Sequence, residues 1–206
     1  MMERMGNDQV TNTHLLQQLP ESLTLEAHQE QKRFLDAYFQ RVKRVLALVS
    51  LTVLVWGPSP TLNTPTAEKR KQIRQAIRMN GHNALFSEEI DSSLLTEDGL
   101  EMPLSILETA QALEAHFIVV LVDKESKGVI AELDICARDD VAAKVFVLVP
   151  TIFKEGFIQK DALTLIEGGN GAVYWYFDEE IDSCKVLKMA VWRVEQKRFT
   201  LLKKLL

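Results

Sequence analysis

The sequence predicts an α/β fold built on one parallel sheet. Short apolar segments alternate along the chain with longer segments whose apolar residues recur at helical spacing. The second to fourth short segments show no alternation of apolar and polar residues, which is typical of strands buried on both faces of a parallel sheet. Right-handed crossovers then order the strands 2-1-3-4-5, a five-stranded flavodoxin-like sheet flanked by helices. An extra long N-terminal helix precedes it.

The first half of the chain supplies the N-terminal helix and two β–α units. We expect a helical extension over residues 1–49, with a long helix at about residues 22–48, and an α/β domain over residues 50–206. Thr64 followed by Pro65 predicts a helix start, and Gly81 predicts its end. Strands are predicted in the segments LTVLVW (51–56) and HNALF (82–86).

The second half supplies three more units. Pro103 predicts the start of a helix, and Gly128 begins another. The link between strands four and five is expected to be irregular or helical, and a last helix to begin near Glu179. Strands are predicted in the segments FIVVLV (117–122), KVFVLVP (144–150) and AVYWYF (172–177).

Composition limits the class of protein. The net charge of −5 does not indicate a broad nucleic-acid-binding surface. Two cysteines define neither a disulfide framework nor a metal site, which suits a reducing cytoplasm. The N-terminal residues lack a basic region followed by an apolar one, and the apolar run at residues 45–57 is too short to span a bilayer. We therefore expect a cytoplasmic protein with no direct membrane attachment.

The predicted topology selects where a ligand would bind. Ligands of such sheets lie outside the carboxyl ends of the strands, near the switch point between strands one and three. Three loops meet there: residues 57–64, 87–101 and 123–127. Glu132 lies about one turn into the helix that follows strand three, near the positive end of the helix dipole. A carboxylate there would stabilise an oxocarbenium-like sugar as its base departs. The alternative is an ordinary solvated glutamate in the first turns of a helix.

A resemblance favours the catalytic interpretation. The segment AHFIVVLVDKESKGVIAELDICAR (115–138) resembles the signature segment of the nucleoside 2-deoxyribosyltransferase-like proteins. It is similar also to the wider group that they share with the TIR-type NAD-cleaving domains. The segments VLVWGPSP (53–60) and KRKQIRQAIRMNGHNALFSEE (69–89) resemble the first strand with its ligand loop, and the first helix with the second strand. The similarity covers roughly residues 51–176.

The resemblance implies an N-glycosidase in which Glu132 is the catalytic carboxylate acting on the ribose carbon. Asp123 would orient the base or a sugar hydroxyl; alternatively, it only makes local backbone bonds at the start of a loop. Trp56 would stack on a base, although a tryptophan at this position is also typical of a core. Gly57 would let the ligand approach the backbone, and Phe86 would form a wall of the pocket.

The same resemblance assigns the remaining substrate contacts. Ser126 and Gly128 form the turn that precedes the catalytic helix. Ser59 lies in a loop that leads to a helix N-terminus, a natural phosphate site, where Lys69 and Arg70 would assist. The alternative for these two cations is a solvated basic face. No histidine pairs with a cysteine or acid at metal spacing, so we predict no metal and no cofactor.

Two functions follow as expectations. The first is an enzyme that cleaves the base–ribose bond of NAD or of a (deoxy)nucleotide. Proteins of this kind act as toxic effectors in bacterial antiviral defence, and the N-terminal helix would then mediate a homo-oligomer or bind an inhibitory or activating partner. The second is a non-catalytic module of the same fold that senses a nucleotide or assembles a complex, with Glu132 in a structural role.

Overall fold

A computed structural model describes residues 21–90, 103–124, 128–154 and 160–205 of the chain. The chain divides into two compact units, Met1–Val45 and Leu46–Leu206; the boundary predicted from the sequence lies after residue 49. Helix α1 spans Glu21–Ala47. In the first unit it leaves Leu25, Phe34 and Tyr38 exposed to solvent.

The second unit is built on a five-stranded, all-parallel sheet. Its order is β2-β1-β3-β4-β5, so the predicted fold class is confirmed. Leu54 of β1 pairs with Leu85 of β2 on one side and with Ile118 of β3 on the other. The strands are β1 (Thr52–Trp56), β2 (Asn83–Leu85), β3 (Phe117–Leu121), β4 (Val145–Pro150) and β5 (Ala172–Tyr176).

Helices cover both faces of this sheet. Helix α2 (Pro65–Met79) begins where the sequence predicts, because the Thr64 hydroxyl accepts a 3.2 Å hydrogen bond from the Ala67 N–H and Pro65 occupies the first turn. The helices are α2 (Pro65–Met79), α3 (Leu104–Glu114), α4 (Gly128–Cys136), α5 (Lys160–Gly168), α6 (Asp178–Asp182) and α7 (Lys185–Leu205). Short 3-10 turns occur at Ser87–Glu89, Ala142–Lys144 and Thr151–Lys154. None of the described helices is long and apolar enough to cross a membrane.

Two apolar clusters, one on each face of the sheet, form the core. Adjacent residues of a strand point to opposite faces, so Val55 belongs to the cluster that contains Ile73 of α2 and Val194 of α7, whereas Trp56 belongs to the cluster that contains Leu133 of α4. Each such side chain contributes roughly 1.5–3 kcal/mol when fully buried. The central strands β3 and β4 are buried along their whole length, which explains why their sequences show no alternation.

The C-terminal region differs from the prediction of a single helix from Glu179. It forms two helices, because the chain between them is extended at Ser183 and the hydroxyl of that residue accepts a hydrogen bond from the Lys185 N–H at 3.2 Å. Helix α7 then starts anew: the carbonyl oxygen of Cys184 accepts a hydrogen bond from the Lys188 N–H at 2.9 Å. The link between β4 and β5 contains the helix α5.

The amino-terminal edge of the sheet is fixed by a buried polar network. The Nδ1 atom of His82 accepts a hydrogen bond from the Leu51 N–H at 3.2 Å, and its Nε2 lies 2.8 Å from a carboxylate oxygen of Glu195. Arg198 also contacts this carboxylate and donates to the carbonyl oxygens of Leu46 and Asn80. The network connects α7 to the sheet at the edge opposite the predicted ligand site.

Candidate active site

Glu132 is buried at the carboxyl-terminal edge of the sheet. It lies in the second turn of α4, the helix that follows β3, and is 7% exposed. Its Oε2 atom has no hydrogen-bond partner. A buried polar atom without a partner costs free energy. The interpretation of Glu132 as a solvated surface glutamate is therefore wrong.

The surroundings of Glu132 favour its protonated form. Burial, the largest influence, raises the pKa of Glu132 to about 8. The positive charge of Arg70 opposes this rise, whereas the carboxylates of Glu108 and Glu88 add to it. A hydrogen bond from the backbone of Gly57 also favours the ionised form. The unliganded site thus contains a carboxyl group that changes its charge slightly above neutral pH.

Gly57 brings the backbone of β1 close to this site. Its φ angle is +141°, in a region that residues with a side chain rarely adopt. A Cβ atom at this position would lie 2.6 Å from the carbonyl oxygen of Leu121, at the end of β3. Only glycine therefore fits between the ends of β1 and β3 at this position. The approach of a ligand to the backbone of Gly57 stays a prediction.

Arg70 supplies a positive charge to the site, and in the sequence it is one of several closely spaced basic residues. Its side chain is fully buried and donates from Nε to the carbonyl oxygen of Val55 at 2.9 Å and from Nη1 to that of Pro58 at 3.0 Å. Two further bonds, each 2.8 Å, join the guanidinium to the two carboxylate oxygens of Glu88. Burial alone would raise the pKa of Glu88, but these contacts outweigh it and lower the pKa.

Two predicted roles on neighbouring residues need correction. Lys69 and Arg70 are both buried, so neither belongs to a solvated basic face, and Lys69 donates to the carbonyl oxygen of Ser183 at 2.8 Å. Phe86 is 3% exposed, and the guanidinium groups of Arg70 and Arg74 lie over its ring at 4.4 and 4.0 Å from the centroid. Phe86 therefore supports the arginines and does not line an open pocket.

Trp56 is a core residue. It is fully buried among the side chains between the sheet and helices α3 to α5, so its ring cannot stack on a base in this structure. The predicted stacking role is therefore wrong, and the alternative of a core tryptophan is correct. The reason is strand geometry: the side chain next to Val55 points to the other face of the sheet, and that face is covered too.

A cavity of about 340 Å³ lies at the same edge, beside Asp123. The N-terminus of α2 contributes Thr64 and Thr66, and β5 contributes Tyr176. Glu132 is not among the residues that line this cavity. The Tyr176 hydroxyl donates to the Val122 carbonyl oxygen at 2.8 Å, and burial raises the pKa of Tyr176.

Asp123 accepts a 2.6 Å hydrogen bond from the Lys124 N–H. This is the local backbone bond that the structural alternative for Asp123 predicts.

The remaining predicted residues are placed as follows. Ser59 is half-buried in the loop after β1, and its hydroxyl lies 2.9 Å from that of Thr61. Gly128 is the first residue of α4, as the sequence predicts. Ser126 lies outside the described residues. Among the residues that the structure describes, no group of three or more His, Cys, Asp or Glu side chains is arranged to hold a metal ion.

Sequence reasoning missed two residues of α3. Glu108 is half-buried, and its pKa is raised first by burial and then by the charge of Glu88. Gln111 is buried and donates to the Ser87 carbonyl oxygen at 3.4 Å, while its Oε1 atom has no partner. A signal was present, because Leu104, Leu107, Glu108 and Gln111 share one face of the helix at spacings of three and four.

The fold and the site define a flavodoxin-like α/β protein with a buried carboxyl group at the ligand edge of its sheet. No protein-family model matches the chain, and no curated protein matches it in sequence. The geometry of the site is therefore the basis for assigning a function.

Proposed function

We propose that this protein cleaves the bond between the base and the ribose of a nucleotide, with Glu132 as the catalytic carboxylate and NAD or a (deoxy)nucleotide as substrate. The observation that supports this most directly is the buried Glu132 carboxyl group, which has one unpartnered oxygen and lies beside the close approach of Gly57 to β3. The resemblance of residues 115–138 to the nucleoside 2-deoxyribosyltransferase-like and TIR-type proteins supports the same chemistry.

The reaction requires a negative charge near the sugar carbon. As the glycosidic bond breaks, its electron pair leaves with the base nitrogen and the sugar becomes cationic. The ionised Glu132 stabilises this cation or forms an ester with it, and water then supplies the hydroxyl group and releases a proton. A pyridinium base such as nicotinamide leaves as a neutral molecule, so it needs no proton donor. A cationic substrate of this type also favours the ionised form of the buried carboxyl group.

The test is direct incubation with NAD, and separately with nucleosides and nucleotides, followed by chromatography for free nicotinamide or free base. We expect release by the wild-type protein and a decrease of at least about 100-fold in Glu132→Gln, which keeps the size of the side chain. Asp134→Asn is the matched control, because Asp134 lies on the same helix but is exposed. We expect this control to retain the wild-type rate.

The alternative function is a nucleotide-binding or assembly module. The cavity beside Asp123 is the observation in its favour, because Glu132 is not among the residues that line it. Nucleotide binding without base release, unchanged in Glu132→Gln, would support this module and exclude the enzyme.

A further inference from the structure

The loop between the carboxyl end of β1 and α2 is held by one side chain. Arg70 donates to the carbonyl oxygens of Val55 and Pro58, on either side of Gly57, at 2.9 and 3.0 Å. We call residues 55–58 the Gly57 turn. Because the guanidinium is planar and rigid, these two bonds fix the position of the Gly57 turn relative to α2.

The other side of the same guanidinium binds Glu88, in the 3-10 turn that follows β2. The contact is bidentate, with two bonds of 2.8 Å, which is the strongest geometry for an arginine–carboxylate pair. The ring of Phe86 lies against the guanidinium at 4.4 Å. Arg70 thus connects the ends of β1 and β2; its own side chain is buried, whereas that of Glu88 is 46% exposed.

Charged groups from three elements act on Glu132: Arg70 from α2, Glu88 from the turn after β2, and Glu108 from α3. The buried thiol of Cys136, on α4 itself, is a further titratable group near Glu132, and it is uncharged because burial raises its pKa. Of these groups, Arg70 alone is a cation. It therefore acts on Glu132 in two ways: through its own charge, and through the Gly57 turn, whose backbone binds the carboxylate.

We propose that Arg70 is the positioning residue of Glu132, which fixes the Gly57 turn beside the carboxylate and partly balances the charges of Glu88 and Glu108. This inference deepens the proposed function and depends on it only for the effect on rate. Arg70 does not itself touch the substrate. Its role is to hold a hydrogen-bond donor and a positive charge where they favour the ionised form of the carboxylate.

The experiment follows the ionisation of Glu132 directly. In protein labelled with ¹³C at the glutamate side-chain carboxyl carbon, the signal that disappears in Glu132→Gln identifies this residue, and its shift with pH gives the midpoint. The test variant is Arg70→Met combined with Glu88→Gln, which removes the ion pair without leaving one partner charged and buried. The loss of the Glu88 charge alone would lower the midpoint, but the opposing influence of Arg70 on the pKa of Glu132 is the larger of the two, so we expect a net rise of about half a pH unit or more. A folded double variant with the wild-type midpoint would overturn the proposal.

Arg70→Lys provides a second measurement if the double variant does not fold. It keeps the charge but cannot bind two carbonyl groups and a carboxylate in one plane, so we expect faster hydrogen exchange at the Gly57 amide and a smaller rise of the midpoint. Unchanged exchange and an unchanged midpoint in this variant would also overturn the proposal. Arg74→Gln is the control: Arg74 contacts Phe86 and Glu89 but makes no described bond to the Gly57 turn, so both values should stay at the wild-type level.

These measurements need no turnover, so they separate the two proposals. If no substrate is cleaved but the midpoint moves as expected, Arg70 positions Glu132 in a binding module. If cleavage is observed and the double variant keeps the wild-type midpoint, the proposed function stands and the role of Arg70 is refuted. Where cleavage occurs, Arg70→Lys should lower kcat more than it changes KM, because the turn acts on the reacting group.

Discussion

Gly57 and Leu121 approach so closely that a Cβ atom on the glycine would lie 2.6 Å from the leucine carbonyl oxygen. The φ angle of +141° adds a conformational penalty for any other residue. We therefore expect Gly57→Ala to lower the free energy of unfolding by about 1–3 kcal/mol for the backbone strain, and by more because of the close contact with Leu121. Urea unfolding followed by circular dichroism measures this loss.

Gly81→Ala is the control for the contribution of backbone strain alone. Gly81 also has a positive φ angle, +85°, but no atom lies within 4 Å of the position that its Cβ would take. We expect a smaller loss there, about 1 kcal/mol. Equal losses at the two positions would show that contact with β3 contributes nothing, and that the close approach is not a constraint.

The burial of Glu132 predicts an unusual dependence of stability on pH. The unfolded chain releases this proton near the ordinary value of 4.5, whereas the folded protein holds it until the pH approaches 8. Between these two values the unfolded state is therefore favoured increasingly as the pH rises. Glu132→Gln carries no such proton, so its stability relative to the wild type should increase with pH by up to about 1.4 kcal/mol per unit. Urea unfolding at pH 5, 6, 7 and 8 measures this slope.

A stability difference that stays constant over this pH range would contradict the buried, protonated state. Asp134→Asn again serves as the control, since an exposed carboxylate on the same helix should give no comparable slope.

The proposed reaction predicts a rising pH profile. Because kcat/KM reports the ionisation of the free enzyme, and because the carboxylate is the reactive form, we expect kcat/KM for NAD to increase through a midpoint near pH 8. Initial rates of nicotinamide release between pH 6 and 9.5 measure the profile. A rate of nicotinamide release that stays constant or falls through this range would show that the ionised form of Glu132 is not the reactive one.

Trp56 gives a prediction that separates packing from ligand contact. The side chain is fully buried, so Trp56→Phe should leave a small cavity and lower the free energy of unfolding by about 1–3 kcal/mol. The KM for any substrate should change less than about twofold, because a core side chain adds no direct binding energy. A large rise in KM with unchanged stability would show that the tryptophan contacts the ligand after all.

Local sequence patterns were sufficient to predict the sheet. The strands are short, apolar and free of alternation because helices cover both faces, and this burial is visible in β3 and β4 before any tertiary contact is known. Glu132 was found for a related reason. Its position follows from the β–α unit itself, since the residue one turn into the helix after a central strand lies at the edge where ligands bind.

The contacts within the site could not be predicted from these sequence patterns. Arg70 lies among basic residues in the sequence, and its partners are two backbone carbonyl groups and a glutamate 18 residues away. Nothing in a periodic pattern shows that one arginine of such a run is buried while Arg78 remains exposed. The orientation of Trp56 was ambiguous for the opposite reason: with both faces of the sheet covered, a strand tryptophan can be buried on either of them.

Three buried side chains, those of Trp56, Gln111 and Glu132, each contain a polar atom without a hydrogen-bond partner. In the network of His82, Glu195 and Arg198, by contrast, the imidazole and both charged groups have partners. An apolar residue the size of leucine at position 132 would relieve one of these mismatches. Laboratory evolution for heat resistance alone, with no requirement for activity, should therefore discard Glu132 early.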